Sequence, residues 1–297
     1  MAAHGILLVD KPGGLTSHDV VARVRRAFGT RRVGHAGTLD PAATGLLVIG
    51  IEGATRLLTY IVGADKTYTA TIRLGARTST DDAEGDVIAT ADASDWAGVD
   101  DAAVRGGIRA LTGAISQVPS SVSAIRIDGR RAYDLVRAGE TVELASRQVT
   151  VSRFDVLAQR REGGFLDLDV VVDCSSGTYI RALGRDLGDA LGVGGHLTAL
   201  RRTRVGGFEV SDAVTLDALE TAVPLPPADA ATRVMPALHV SAEEARALRH
   251  GQRLVGQRDR MPGAEAAGID PDGVLVGVLE VRGHDIKSAM NMPEAQS

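Results

Sequence analysis

Hydrophobic residues recur with strand-like spacing in three segments of the chain. Ile6 to Val9 is a short apolar run that is typical of a buried strand. From Lys66 to Leu74 apolar and polar residues alternate, and Tyr68 falls on the apolar face. Leu166 to Val172 alternates in a similar way, with aspartates on its other face. These patterns predict three strands, each with a face that must be buried.

Helical spacing predicts three further elements. Thr16 and Asp19 resemble a capping box, with Asp in place of the usual Glu or Gln, and apolar residues from Val20 to Phe28 share one face. The segment 178–191 repeats apolar residues every three or four positions, and 241–251 is a shorter helical pattern that ends at a glycine. Strands and helices therefore mix without a regular βα alternation, which favours an α+β fold with a mixed sheet.

Proline and charge suggest where the chain is divided. The segment 224–231 contains three prolines and is typical of a linker. It would separate a large domain at residues 1–228 from a small one at 232–290. The acidic segment 78–101 is predicted to be a loop.

The overall charge argues mildly against nucleic acid binding, but its distribution changes that picture. The net charge is −5 and the pI is near 5.8. Lysine occurs only at positions 11, 66 and 287, which a compositional bias explains. Arginine clusters at 23, 25, 26, 31 and 32, at 126, 130 and 131, and at 201, 202 and 204. Bias does not explain this clustering, and arginine binds phosphate with two parallel hydrogen bonds.

The compartment follows from what the sequence lacks. Cys174 is the only cysteine, so no disulfide can form within the chain, as in proteins of a reducing compartment. The N-terminal apolar run is too short for a signal peptide, and no apolar run approaches the length of a membrane span. We expect a soluble, cytoplasmic protein.

The most specific motif is Gly34-His-Ala-Gly-Thr-Leu-Asp40-Pro-Ala-Ala-Thr-Gly45. Pro41 keeps Asp40 out of helical geometry, and the glycines allow sharp turns or close approach of a ligand. A carboxylate on such a loop is suited to act as a nucleophile or a base. On spacing alone, an ordinary Asp-Pro turn is the better interpretation.

The motif resembles the signature of the bacterial tRNA pseudouridine-55 synthase family over twelve consecutive positions. Four other segments resemble family motifs in the expected order, so the resemblance covers roughly residues 5 to 210: they are 10–17, 66–68, 174–181 and 200–203. The family's fold is an α+β domain with a mixed, largely antiparallel sheet. The C-terminal segment, and 236–251 most clearly, weakly resembles the small β-rich PUA-type RNA-binding domain that ends many such synthases.

The resemblance implies three catalytic residues. Asp40 would be the nucleophile, and Tyr68 would stack on the flipped base and accept a proton late in the reaction. Arg181 would pair with Asp40 and keep its carboxylate ionised. Without the resemblance, Tyr68 is better interpreted as a packed core residue and Arg181 as a solvated surface residue.

The resemblance also implies five substrate-binding residues. His35 would help to order the T-loop during base flipping, and Lys11 would support the active site. Tyr179, Leu200 and Arg202 fall in the matching motifs. A buried loop histidine and a surface turn lysine are the alternative interpretations of His35 and Lys11. No HExxH motif or cysteine pair accompanies His35, so no metal is expected.

An RNA-contacting insertion is expected near residues 116–147. Its basic stretch, 125–133, fits either contact with an RNA backbone or an ordinary basic loop. Where the family usually has a proline pair and an aromatic residue, this chain has Pro119-Ser-Ser-Val122-Ser-Ala124. An aromatic contact at Val122 is therefore not expected.

The implied reaction is the isomerisation of uridine-55 in the tRNA T-loop, with base flipping and no cofactor. The partner would be the T-arm of tRNA, bound by a monomer without a guide RNA or an obligate protein partner. Attack by Asp40 on the base and attack on the sugar carbon both remain open. One rival class is an RNA-binding protein or chaperone, and another is a nucleoside hydrolase or glycosidase, which normally needs a second carboxylate. A third rival, a guide-RNA-dependent relative, would need partner-binding extensions for which this chain has little room.

Overall fold

The computed structural model describes residues 4–120, 126–127, 130–131 and 144–293, the two short pieces by their backbone alone. The chain forms two compact units. The first comprises Met1–Ala64 and Arg204–Ser297, and the second comprises Asp65–Thr203.

The described elements are numbered in chain order. The strands are β1 Gly5–Lys11, β2 Val33–His35, β3 Thr44–Ile51, β4 Lys66–Leu74, β5 Ala76–Thr78, β6 Val87–Thr90, β7 Gly113–Gln117, β8 Arg126–Ile127, β9 Arg130–Arg131, β10 Arg147–Glu162, β11 Phe165–Cys174, β12 Gly195–Val205, β13 Phe208–Glu209, β14 Ala237–His239, β15 Glu265–Ile269, β16 Leu275–Arg282 and β17 Asp285–Asn291. The α-helices are α1 Ser17–Ala27, α2 Leu58–Val62, α3 Asp101–Ala110, α4 Ile180–Ala190, α5 Pro227–Thr232 and α6 Ala242–Arg249.

In the first unit, the apolar run of β1 is explained by burial of both faces of the strand. The strand pairs antiparallel with β3, which also pairs with β2. Ile6 and Leu8 belong to one hydrophobic cluster, whereas Leu7 and Val9 belong to a second cluster that includes Val20 and the other buried residues of α1. A strand that is buried on both faces needs apolar residues at every position. The predicted strand and the predicted capped helix are both confirmed.

The C-terminal part of the first unit is a four-stranded sheet in the order β14-β15-β16-β17. Within this sheet β14 and β15 pair in parallel, and the other two pairs are antiparallel. Leu248 of α6 packs into the cluster on this sheet, which confirms the helix predicted at 241–251.

The predicted linker at 224–231 is wrong. Residues from Pro227 form α5, and its alanines Ala228, Ala230 and Ala231 are buried in the same cluster as Ile6. Proline suits the first turn of a helix, where its missing N–H is not needed. The boundary between 1–228 and 232–290 stays a prediction.

The second unit contains the strands β12, β4, β11, β10 and β7 as neighbours in that order. From β4 to β7 every pair is antiparallel. Tyr68 and the apolar residues after it are buried, while the intervening residues of β4 are half-buried. The alternation predicted for residues 66–74 is therefore confirmed, and that of 166–172 holds except at Val171, which is also buried. The α+β class with largely antiparallel sheets is confirmed as well.

Two other predictions fall on this unit. Helix α4 lies within the predicted 178–191, and Ile180, Leu183 and Leu187 are buried. The acidic segment 78–101 is only partly a loop, because it contains β6. Most of the expected insertion, including Val122 and most of 125–133, lies outside the described residues.

Candidate active site

Asp40 is half-buried in the loop that joins β2 to β3. The loop turns at Gly37, and Gly45 follows near the start of β3; their φ angles of 91° and 100° favour glycine. Ala43 N–H donates to the Asp40 carbonyl at 3.1 Å. The loop that the motif predicted is therefore present, although its first two residues, Gly34 and His35, belong to β2.

The backbone before Asp40 is fixed by a serine. Ser17, the first residue of α1, is 1% exposed. Its Oγ accepts the Leu39 N–H at 2.9 Å and donates to the Leu39 carbonyl at 3.1 Å. Both polar groups of the residue next to Asp40 are thus bound to one side chain.

The backbone after Asp40 is fixed by Lys11, which is fully buried. Its Nζ donates to the carbonyls of Pro12, Leu15 and Pro41 at 2.9, 2.7 and 3.1 Å. An ammonium group has three donors, and a buried one is costly unless they are satisfied. The surface-lysine interpretation is wrong.

His35 lies at the end of β2 and is half-buried. Its ring meets the ring of His18 edge-on, with 5.7 Å between their centres. His18 is exposed on α1, so the pair lies beside the loop that carries Asp40.

Tyr68 is 8% exposed on β4, where it pairs with Val172 of β11. Burial of the ring agrees with both interpretations of this tyrosine, the packed one and the catalytic one. Its role in catalysis stays a prediction.

Arg181 is not a solvated surface residue, since it is 5% exposed in the first turn of α4. Its Nη1 donates to the Thr80 carbonyl at 2.9 Å and lies 3.3 Å from Asp82 Oδ2. Asp82 is itself held, because its Oδ1 accepts from Thr80 Oγ1 and from the Glu84 N–H. A buried guanidinium needs such partners to offset the loss of water.

Asp82 contacts a predicted site residue, and the sequence did not reveal this contact. It lies in the acidic segment that was predicted to be a loop, far from Arg181 along the chain. The neighbouring Asp81, with a φ of 61°, pairs with Arg185 at 3.1 Å. The turn 79–86 is therefore attached to α4 by two ion pairs, and only the tertiary fold brings these residues together.

Tyr179 is held by a second residue that the sequence did not reveal, the fully buried Gln117. The Gln117 amide accepts the Tyr179 N–H at 2.8 Å and donates to the Tyr179 carbonyl at 3.0 Å. The guanidinium of Arg147 lies 5.4 Å from the centre of the tyrosine ring. These contacts fix the N-cap residue of α4, two positions before Arg181.

Leu200 and Arg202 lie on β12, the first half-buried and the second 1% exposed. Lys66 is also buried, and burial together with the charge of Arg202 lowers the pKa of Lys66 to about 8. This part of the second unit therefore holds two buried cations.

The predicted site residues are divided between the units. Lys11, His35 and Asp40 belong to the first unit, where Lys11 is joined to the Asp40 loop. Tyr68, Tyr179, Arg181, Leu200 and Arg202 belong to the second, where Tyr179 and Arg181 share the start of α4. The expected pairing of Arg181 with Asp40 stays a prediction.

Three family matches cover nearly the whole chain. Residues 25–180 match the TruB family pseudouridylate synthase (N terminal domain), and residues 181–238 match the tRNA pseudouridylate synthase B C-terminal domain. Residues 235–293 match the tRNA Pseudouridine synthase II, C terminal family. The chain therefore belongs to the TruB family of pseudouridylate synthases, as the sequence motifs predicted.

Individual relatives agree with this assignment. A tRNA pseudouridine synthase B of Leifsonia xyli is 56% identical over 295 residues, covering 99% of this chain and 98% of the relative. The enzyme of the same name from Nocardia farcinica is 58% identical and covers 94% of this chain and 90% of the relative.

A crystal structure of a Cbf5-Nop10-Gar1 complex has a TM-score of 0.72 at 25% identity, covering 98% of this chain and 86% of that one. The predicted pseudouridine synthase fold with a small β-rich, PUA-like C-terminal part is confirmed. In the described part of the chain, no helix has the length and apolar character needed to cross a membrane.

Proposed function

We propose that the protein converts uridine-55 of the tRNA T-loop to pseudouridine, with Asp40 as the nucleophile. The observation that carries this proposal is the Asp40 loop, whose backbone is held on both sides by Ser17 and Lys11. The loop belongs to a chain of the TruB family, and a relative that is 56% identical to this chain is called tRNA pseudouridine synthase B.

The reaction requires no net change of atoms or electrons. The bond between the ribose carbon C1′ and uracil N1 breaks, the uracil turns, and C1′ bonds to uracil C5. The C5 proton leaves, and N1 gains a proton. Asp40 assists by adding either to the uracil or to C1′, and it leaves again before the product is released.

The other site residues have supporting roles in this proposal. A fixed carboxylate next to the target removes much of the entropic barrier to attack. Arg181 is the proposed cationic partner of the Asp40 carboxylate, and Tyr68 stacks on the flipped base and accepts a proton. His35 orders the T-loop, and Lys11 fixes the Asp40 loop.

Substrate binding would depend largely on arginine. In the cluster of α1 and the following turn, Arg25 donates to the Val33 carbonyl, and Arg23, Arg26, Arg31 and Arg32 are exposed. Within the described residues none of them has an ion pair shorter than 4 Å. Exposed arginines without acidic partners suit phosphate binding. We further propose that the protein acts in the cytoplasm as a monomer on the T-arm of tRNA, without a guide RNA or a protein partner.

The test is tritium release from unmodified tRNA transcript that carries tritium at uracil C5. Wild type, Asp40→Ala and the isosteric Asp40→Asn are compared, and tRNA binding is measured separately for each. Release by wild type alone, with binding retained in all three, supports the proposal. A folded wild type that binds tRNA without releasing tritium would instead be an RNA-binding protein or chaperone, and release by Asp40→Ala would remove Asp40 as nucleophile.

A further inference from the structure

We propose that Ser17 is a positioning residue for the reaction, which holds Asp40 at the angle needed for attack. This inference rests on the proposed role of Asp40. Ser17 does not touch the reacting atoms and acts through the backbone of Leu39.

One hydroxyl group binds both backbone polar groups of Leu39, and we call this pair of hydrogen bonds the clamp. Ser17 Oγ accepts from the Leu39 N–H at 2.9 Å and donates to the Leu39 carbonyl at 3.1 Å. A serine hydroxyl can do both, because it has one proton and two lone pairs. Within the described residues, these two are the hydrogen bonds that the backbone of Leu39 makes. The Leu39 carbonyl belongs to the peptide group that joins Leu39 to Asp40.

The clamp has a rigid base. Ser17 is the first residue of α1. Val20, Val21 and Val24 anchor the helix in the core. Since Ser17 is 1% exposed, its hydroxyl has no access to bulk water that would compete for Leu39.

The backbone after Asp40 is held by groups other than Ser17. Lys11 Nζ and the Gly14 N–H both donate to the Pro41 carbonyl, at 3.1 and 2.9 Å. Gly37, with a φ of 91°, begins the turn before Leu39 and offers little stiffness of its own. Loss of the Ser17 hydroxyl would therefore remove the two hydrogen bonds described for the Leu39 backbone, while those to the Pro41 carbonyl remain.

Thr16 provides a matched control. It is the neighbouring residue and also bears a hydroxyl, but this hydroxyl caps α1, and its hydrogen bonds within the described part of the chain are to Asp19. Thr16→Ala and Ser17→Ala each remove one hydroxyl at the start of the same helix. A purely structural role predicts similar effects of the two substitutions, whereas a positioning role predicts different ones.

The experiment measures kcat and KM for tritium release from tRNA, well below the unfolding temperature of every variant. We expect Ser17→Ala to lower kcat by about ten- to a hundredfold with KM within about twofold, because small displacements of a reacting group cost this much. Thr16→Ala should keep kcat within about twofold of wild type. Equal kcat values for the two variants, or a rise in KM alone, would overturn the proposal.

Two further variants keep the result interpretable. Ser17→Cys has nearly the same shape but is a weak hydrogen-bonding group, so it decides the question if Ser17→Ala does not fold. A wild-type kcat for Ser17→Cys would then refute the clamp, and a reduced kcat would support it. Asp40→Ala separates the two proposals. If Asp40→Ala is inactive and Ser17→Ala is fully active, only the Ser17 proposal is rejected. If Asp40→Ala is active, both proposals are rejected.

Discussion

Replacing Asp82 with asparagine is expected to weaken both the second unit and catalysis. The substitution keeps the shape of the side chain and the Oδ1 atom that accepts from Thr80 and Glu84. It removes the charge that faces Arg181 and replaces Oδ2 with an amide donor. Arg181 then keeps the Thr80 carbonyl as a partner but no longer faces a carboxylate at this position.

The magnitude follows from burial and distance. The side chains of Arg181 and Asp82 are 6% and 14% exposed, so water screens the pair poorly. Removal of one partner from a buried pair costs about 3–5 kcal/mol. The separation of 3.3 Å is longer than that of an ideal charged hydrogen bond, so we expect the lower value for a hydrogen bond to a charged group, about 1.5–3 kcal/mol. If Arg181 also shifts from the position that catalysis requires, kcat should fall at least about tenfold.

The assay combines denaturant unfolding with tritium release. Trp96 is the only tryptophan and lies in the second unit, so its fluorescence reports unfolding of that unit. Asp81→Asn is the matched control, because it removes a more exposed ion pair with Arg185 at a backbone position that asparagine tolerates. We expect Asp81→Asn to retain most activity. An Asp82→Asn protein with unchanged stability and unchanged kcat would refute the reasoning.

Three further predictions follow from charge and burial. Since the folded-state pKa of Lys66 is about 8 and its ordinary value is 10.5, the unfolded state binds more protons above pH 8. The free energy of unfolding should therefore rise from pH 8 to 9 in wild type and rise less in Lys66→Met. Cys174 is only 1% exposed, and its burial raises the pKa of the thiol to about 11. Iodoacetamide should therefore label Cys174 only after unfolding. The double substitution of Arg23 and Arg26 by glutamine should reduce the slope of log K against log salt for tRNA binding by about 0.7–0.9 for each phosphate that is no longer neutralised; an unchanged slope would exclude this surface from binding.

Local patterns in the sequence were sufficient for the main elements. The period of two in 66–74 and 166–172 identified two paired strands, because one face of each is buried. The capping box at Thr16 identified the start of α1, because a capping hydrogen bond spans only three residues. The motif 34–45 identified the family because its twelve positions fit as a unit.

Other features depended on residues that are distant along the chain. Without the resemblance Arg181 was better interpreted as a solvated surface residue, yet it is buried and Asp82 reaches it from a separate turn. The prolines from 224 onward indicated a linker, but whether Ala230 is buried depends on the cluster that also contains Ile6. Hydrophobic burial and ion pairing are set by what packs against a residue, and that is not a local property.

The sequence by itself therefore determined the family, the central strands and helices, and the loop that carries Asp40. Only the tertiary structure showed how that loop is held, with Ser17 bound to Leu39 and the ammonium group of Lys11 enclosed by three carbonyls. The physical reason is that a motif fixes which side chains and local turns are available. The partners of a buried polar group are chosen by the folded chain, which must satisfy each donor and acceptor that it removes from water.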